Sequence, residues 1–516
     1  MHPPQTLDFA PFGAGDPLDV YTQTRQGQYL RRYLDDLKAK SILIEPAYFD
    51  RDYLAEFAAF YCTSSAGYPN ICRRFHFFRI SVDRDLFARA LSGDTAAAGS
   101  LHDNYLGFVV IRPIPASPFG RTVLAWYDDP RKDTTPRIVE PWRNYHCHVA
   151  GIKLTIRGLA WQQQDSAVGT CATISLWSML HSSALNGEHG LPTTASVTRA
   201  AHKTASLGQR VVPSAGLGLH HLCEAIKDYG LQPIVVAGDI RDGNVSVGFS
   251  RKRFTASCTS LLRSGYPVLV LGRLIRGGPH AVCAVGFRSA TPPTAPQGTV
   301  IEHDVDVPVL YLHDDNIGPS VRFGILEDTT KANAVVLKAE APSSPTPSRY
   351  PDPTVDYDPI MPTTLVTAVP EDIRTSPDAL HVLALRAASP LSSLIDVIGK
   401  QNAISFNGLT FSTRFSRLRD YLERDLAQVL GASPARLGRA RLDLVEQVAP
   451  MSLHLGVIRV GDGATPLFDV LCDTTDNDRH QRVFAHVVFS PGLGPMLAAI
   501  KTAGVANLGT QIDVSS

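Results

Sequence analysis

Between residues 231 and 317 the sequence lays down four short apolar runs, QPIVVAG, YPVLVLGRL, HAVCAVGF and VPVLYLHDD, each bounded by glycine, proline or acidic residues. Runs of that length, rich in valine and leucine and punctuated by turn residues such as RGGP, read as strands. Two helical patterns precede them. CATISLWSMLHSSAL places Ile174, Leu176, Trp177, Leu180 and Leu185 at helical spacing, and GLHHLCEAIKDYG closes on Gly230 in the C-cap role. With GIKLTIRGLAW as a leading strand, residues 151–335 read as one core domain of helices and strands.

The flanks read differently. Residues 19–40 are helix-like, and residues 40–150 mix a short strand (SILIEP), an acid-started amphipathic helix, and the aromatic and β-branched strands RRFHFFRISV and YLGFVVIRPI. Residues 84–98 look helical and then small and polar. These make residues 1–150 an N-terminal α/β extension. AEAPSSPTPSRYPDPTVDYDPI, residues 339–360, is rich in Pro, Ser and Asp and reads as a loop. With the return strand TTLVTAVP it forms a linker over 336–384. From 385 to 516 helix patterns (LRDYLERDLAQVLG, LGRARLDLVEQV) alternate with strand patterns (SLHLGVIRV, LFDVLCDTT, RVFAHVVF), a second α/β lobe. No internal repeat at a fixed period is present.

The 49 basic and 49 acidic side chains balance, which gives no electrostatic case for nucleic acid or an anionic membrane as a partner. No run approaches the roughly 18 apolar residues of a membrane span. MHPPQTLDFAPFGAGDPL has neither a basic n-region nor an apolar h-region. The eight cysteines are scattered with no CxxC, the usage of reduced thiols. The expectation is a cytoplasmic protein.

One set of residue types stands in a chemically meaningful order. Gln164, or Gln163, comes shortly before Cys171, which heads an apolar helix. His280 opens a strand after a Gly-Gly-Pro turn. Asp314, Asp315 and Asn316 end the next clear strand. Thiolate is the strong nucleophile, whereas a free cysteine, with a pKa of about 8.5, is mostly thiol at neutral pH. A helix N-terminus and an imidazolium both favour the anion. The histidine can then hand a proton to the leaving group, and an Asp or Asn on its other nitrogen fixes tautomer and orientation. A side-chain amide beside the cysteine, with the cysteine's own N–H, can receive the oxyanion.

Gln-x(n)-Cys-Ala at a helix start, then "YPVLVL…GGPHAVCAVGF", then "YLHDDNIGP", resembles the papain-like cysteine peptidase superfamily, nearest to the bacterial double-glycine leader peptidases. The likeness covers roughly residues 155–325. It implies an α+β fold, a helical lobe packed on an antiparallel sheet, here with α/β extensions at both ends. It also implies Cys171 as nucleophile, His280 as general base and acid, and Gln164 as oxyanion donor. The orienting acid is Asp314 if the Asp-x-x-x-Gly spacing to Gly318 is used, and Asp315 if the shorter spacing holds. Ala172 follows the nucleophile where glycine is common, and Thr170 precedes it. The Pro-rich SATPPTAPQGT reads as an insertion at the cleft rim.

The expected activity is hydrolysis of a peptide or isopeptide through a thioester, with a peptide or protein substrate and no cofactor. The alternative is an inactive scaffold of the same kind used to bind protein. His146-Cys147-His148, with Cys62, Cys72 and His76, offers metal-ligand types, but no tight paired spacing closes a zinc site, and no metal is expected. Cys223 and Cys283 read as inert core.

Overall fold

The computed structural model describes residues 6–129, 135–165, 167–186, 190–204, 211–214, 216–289, 299–341, 350–388, 408–431, 433–448, 450–476 and 482–515. SATPPTAPQGT lies almost wholly outside them, as do residues 342–349 of the Pro/Ser-rich loop. The chain divides into two compact units. One contains Met1–Phe249, Gly265–Phe287 and Val309–Ala368; the other contains Ser250–Ser264, Arg288–Pro308 and Val369–Ser516. Residues 1–150 and most of 151–335 thus share a unit. Among the described residues, no helix is long and apolar enough to cross a membrane.

The first unit begins with a five-stranded antiparallel meander, Asp8–Pro11, Ser41–Tyr48, Cys72–Phe78, Tyr105–Ile111 and Phe119–Leu124, paired in chain order. Tyr105–Ile111 is buried at every residue, so both faces of that strand are covered. The helix expected over 19–40 forms as Arg25–Asp36, after a short 3-10 turn at Asp19–Tyr21. The Thr24 side chain caps it by accepting from the Gly27 N–H, and Tyr29, Leu30, Tyr33 and Leu34 form its buried stripe.

The expected papain-like core, a helical lobe on an antiparallel sheet, is corrected here. The strands Val268–Leu274, Pro279–Arg288, Val309–Asp314, Gly318–Asp328, Ala334–Glu340 and Ile360–Pro370 close into a six-stranded antiparallel barrel. Val268–Leu274 makes the closure by pairing with Pro279–Arg288 on one side and Ile360–Pro370 on the other. That seam joins strands far apart in sequence, and the second lies beyond residue 335. A short apolar run between turn residues marks each strand but carries no signal for which edge meets which. Gly272 shows why the seam fits. It pairs with His280 on one side and Pro362 on the other, and a Cβ there would sit 2.3 Å from the Met361 carbonyl oxygen.

The helix Cys171–Leu180 is buried at every residue except Cys171 itself, as befits a helix apolar all round. It packs against Val268–Leu274 and Val309–Asp314 of the barrel.

The second unit holds a six-stranded sheet in the order Val300–Glu302, Leu409–Arg417, His454–Asp462, Thr465–Asp473, Val483–Val488, Thr510–Asp513. Its outer pairs are parallel and its inner pairs antiparallel. Leu455, Val457, Leu471, Ala485 and Val487 share a core with Tyr421, Leu426, Ala440 and Leu444 from the adjoining helical segments.

Candidate active site

The segment before Cys171 is pinned by buried charge. Asp165 Oδ1 accepts the backbone N–H groups of Ala167 (2.8 Å), Val168 (2.6 Å) and Gly169 (2.9 Å). Beneath it Arg112 donates to Glu56 Oε2 (3.0 Å), to Ser117 Oγ (2.7 Å) and to the carbonyls of Ser117 and Gln163. Glu56 also takes Gln162 Nε2 and Thr194 Oγ1. Charged groups this deep persist when paired, and the Arg112 guanidinium faces both Glu56 (3.0 Å) and Asp165 (3.8 Å). The result is a fixed loop delivering Thr170 as N-cap and Cys171 as the first helical residue, with no side chain capping the helix. The free N–H groups of the first turn therefore lie beside the half-buried sulfur.

The same helix is tied to the histidine strand, for Ser175 Oγ donates to the Ala281 carbonyl at 3.0 Å. That contact sits next to His280, whose imidazolium is favoured by the neighbouring Cys171 thiol. His280 Nε2 lies 3.2 Å from Asp314 Oδ1 and 3.2 Å from Tyr357 Oη. Burial disfavours the imidazolium, but the charge and hydrogen bond of Asp314, the Cys171 contact and the charge of Asp315 outweigh it. His280 is thereby held well above the ordinary imidazole range.

The acidic cluster divides its work. Asp314, wholly buried, accepts from His280 and the Asn316 N–H (2.9 Å) on Oδ1, and from Tyr357 Oη (2.6 Å) on Oδ2. Its carbonyl accepts Trp161 Nε1 at 3.0 Å. Asp315 Oδ1 is 3.9 Å from His280 Nε2, outside hydrogen-bond reach, and both its carboxylate oxygens lack a hydrogen-bond partner. Burial raises the Asp315 carboxyl to about 7, opposed by His280 and reinforced by Asp314. Asn316 Oδ1 accepts Gln164 Nε2 at 2.9 Å.

The three glutamines also separate. Gln162 serves Glu56, the buried Gln163 accepts the Phe119 N–H (3.3 Å), and half-buried Gln164 turns toward the acidic cluster. The structure thus places Cys171 beside His280 and hydrogen-bonds His280 to Asp314, with Asp315 and Gln164 next to them.

Two contributors carry no signal that sequence reasoning used. Tyr357 comes from the Pro/Asp-rich segment read as a linker, where it is one of two tyrosines in a small, polar stretch and nothing in the pattern marks it out. The first turn of Arg25–Asp36, from the expected extension, reaches the same place. The Arg25 guanidinium lies 5.2 Å from the Tyr357 ring centre, and Gln26 Nε2 donates to the Asp315 carbonyl at 3.2 Å.

Among the described residues, only His280, Asp314 and Asp315 bring three possible metal-ligand atoms within 4.8 Å of one another. They fit a cation poorly: Asp314 already receives the Asn316 and Tyr357 hydrogens, and a metal would have to displace donors. The other metal-type residues are dispersed. His146 and His148 are exposed on their strand with Cys147 buried between them, Cys62 is exposed, and Cys72 is buried. His76 is engaged by Tyr105 and Glu45 at 2.8 Å each.

Comparison with protein-family models and with curated proteins gives no match.

Proposed function

We propose that this chain is a cysteine-nucleophile hydrolase acting on amide or ester carbonyls, with a peptide or isopeptide as substrate. The single observation carrying the reading is the grouping of Cys171, His280 and Asp314, a thiol beside an imidazole that hydrogen-bonds a buried carboxylate. The sulfur attacks the carbonyl carbon. The oxyanion is received by the Cys171 N–H at the helix start, with Gln164 as second donor. The His280 imidazolium, favoured by its neighbours, gives its proton to the leaving nitrogen or oxygen, and a thioester forms. His280 then takes a proton from water as hydroxide adds to the thioester, and the acid product leaves with the thiol restored. Asp314 keeps the ring oriented and its charge balanced throughout.

Chloroacetamide labelling with site mapping tests this. Burial pushes the thiols of Cys72, Cys147, Cys223, Cys258, Cys283 and Cys472 up, so exposed Cys62 is the internal competitor. Cys171 should label fastest at pH 6, and His280→Ala should abolish its advantage over Cys62. Equal, slow labelling of Cys171 and Cys62 in the unaltered protein would defeat the reading and leave a binding scaffold in its place.

A further inference from the structure

We infer that Tyr357 is a positioning residue for the proposed reaction, its phenol setting how strongly Asp314 draws on the His280 proton. The inference rests on the cysteine-hydrolase reading and extends it to a residue outside the expected Cys–His–Asp set. Tyr357 Oη closes a triangle, 2.6 Å from Asp314 Oδ2 and 3.2 Å from His280 Nε2, while Asp314 Oδ1 is 3.2 Å from that same nitrogen. The phenol donates to the carboxylate, so one oxygen of Asp314 is occupied and its charge partly drawn away from the histidine. A hydrogen bond to an ionised group is among the stronger ones. The 2.6 Å contact to Asp314 outweighs the 3.2 Å contact to His280, so the phenol acts mainly through the acid.

The surroundings make this a held position. Tyr357 is 6% exposed and its ring packs edge-on to Phe323, centroids 6.4 Å apart, while Arg25 lies over it. Among the described residues, the charged or titratable groups facing the ring pair are Cys171 from the helix, Asp314 and Asp315 from the barrel strand end, and Arg25 from the N-terminal helix. Burial, followed by the charge of Asp314, raises the Tyr357 phenol, so it stays a donor throughout the working pH range.

The test is the pH titration of the His280 ring followed by its 15N chemical shifts, whose alkaline limb marks loss of the His280 proton. In Tyr357→Phe the Asp314 carboxylate faces His280 with its full charge, and that limb should move up by roughly half a pH unit or more. Site-specific 3-fluorotyrosine at 357, a stronger donor of nearly the same shape, should move it down. Opposite shifts support the inference, since a purely structural role gives no such sign change. If Tyr357→Phe fails to fold, the fluorinated protein decides alone. A limb unchanged in the variant that folds overturns the role of Tyr357 while selective Cys171 labelling persists. Absence of selective labelling in the unaltered protein instead overturns the hydrolase reading beneath it.

Discussion

Asp315→Asn should make the first unit more stable at alkaline pH and change it little at acid pH. The Asp315 carboxyl is fully buried, has no hydrogen-bond partner and is raised to about 7, whereas an unfolded aspartate titrates near 3.9. Between those values the folded chain holds a proton that the unfolded chain has released. Stability therefore falls as pH rises through that window and levels off above about 7. Integrated from pH 5 to pH 8, the loss is about 2.5 kcal/mol, taking about 1.4 kcal/mol per pH unit. Asparagine keeps the shape and cannot ionise, so the variant's advantage should grow by that amount over the same interval. At about 1–2 °C per kcal/mol for a unit of this size, the gap in Tm should widen by ~4 °C. All four tryptophans, Trp126, Trp142, Trp161 and Trp177, lie in the first unit, so tryptophan fluorescence during heating follows that unit. A Tm gap that is the same at pH 5 and pH 8, or a variant less stable at pH 8, would refute the reasoning.

Arg112→Ala should cost about 3–5 kcal/mol in urea unfolding, because it leaves Glu56 and Asp165 buried without their cation. Cys171 labelling should slow with it, since the same side chain anchors the loop ahead of that cysteine. Burial pushes His313 down to about 3, below its unfolded value of about 6.5. That depressed value makes the folded chain bind fewer protons, so its contribution to stability is present above about 6.5 and is lost as pH falls toward 3. His313→Gln should flatten the acid limb of a Tm-against-pH curve; an unchanged limb would refute the assignment.

The parts of the site that could be read from the sequence are those whose chemistry coincides with an element boundary. Cys171 heads a helix, His280 opens a strand after a turn, and Asp314 ends one. Each position is visible as a change of hydrophobic pattern. Spacing alone left Asp314, Asp315 and Asn316 open as partners of the histidine. Distances separate them, because successive residues at a strand end point in different directions. Gln163 and Gln164 part for the same reason, one into the core and one toward the acids. Tyr357 could not be read, since its role depends on where a Pro-rich segment returns after a stretch outside any periodic pattern. The helices and strands of the C-terminal lobe follow their sequence patterns closely, as with His454–Asp462 and Thr465–Asp473. Barrel closure did not show, because edge pairing between distant strands is a tertiary choice.

The seam between Val268–Leu274 and Ile360–Pro370 has a consequence for biosynthesis. Cys171, His280 and Asp314 are all translated before the strand that completes the ring. A nascent chain ending near residue 340 would offer two open β-edges, templates for pairing with other chains. Tyr357 emerges only three residues ahead of the sealing strand, so the step that removes those edges also brings the last hydrogen-bond donor to Asp314. Completing the hydrogen bonds of Asp314 and hiding the adhesive edges are thereby coupled in a single late event of folding.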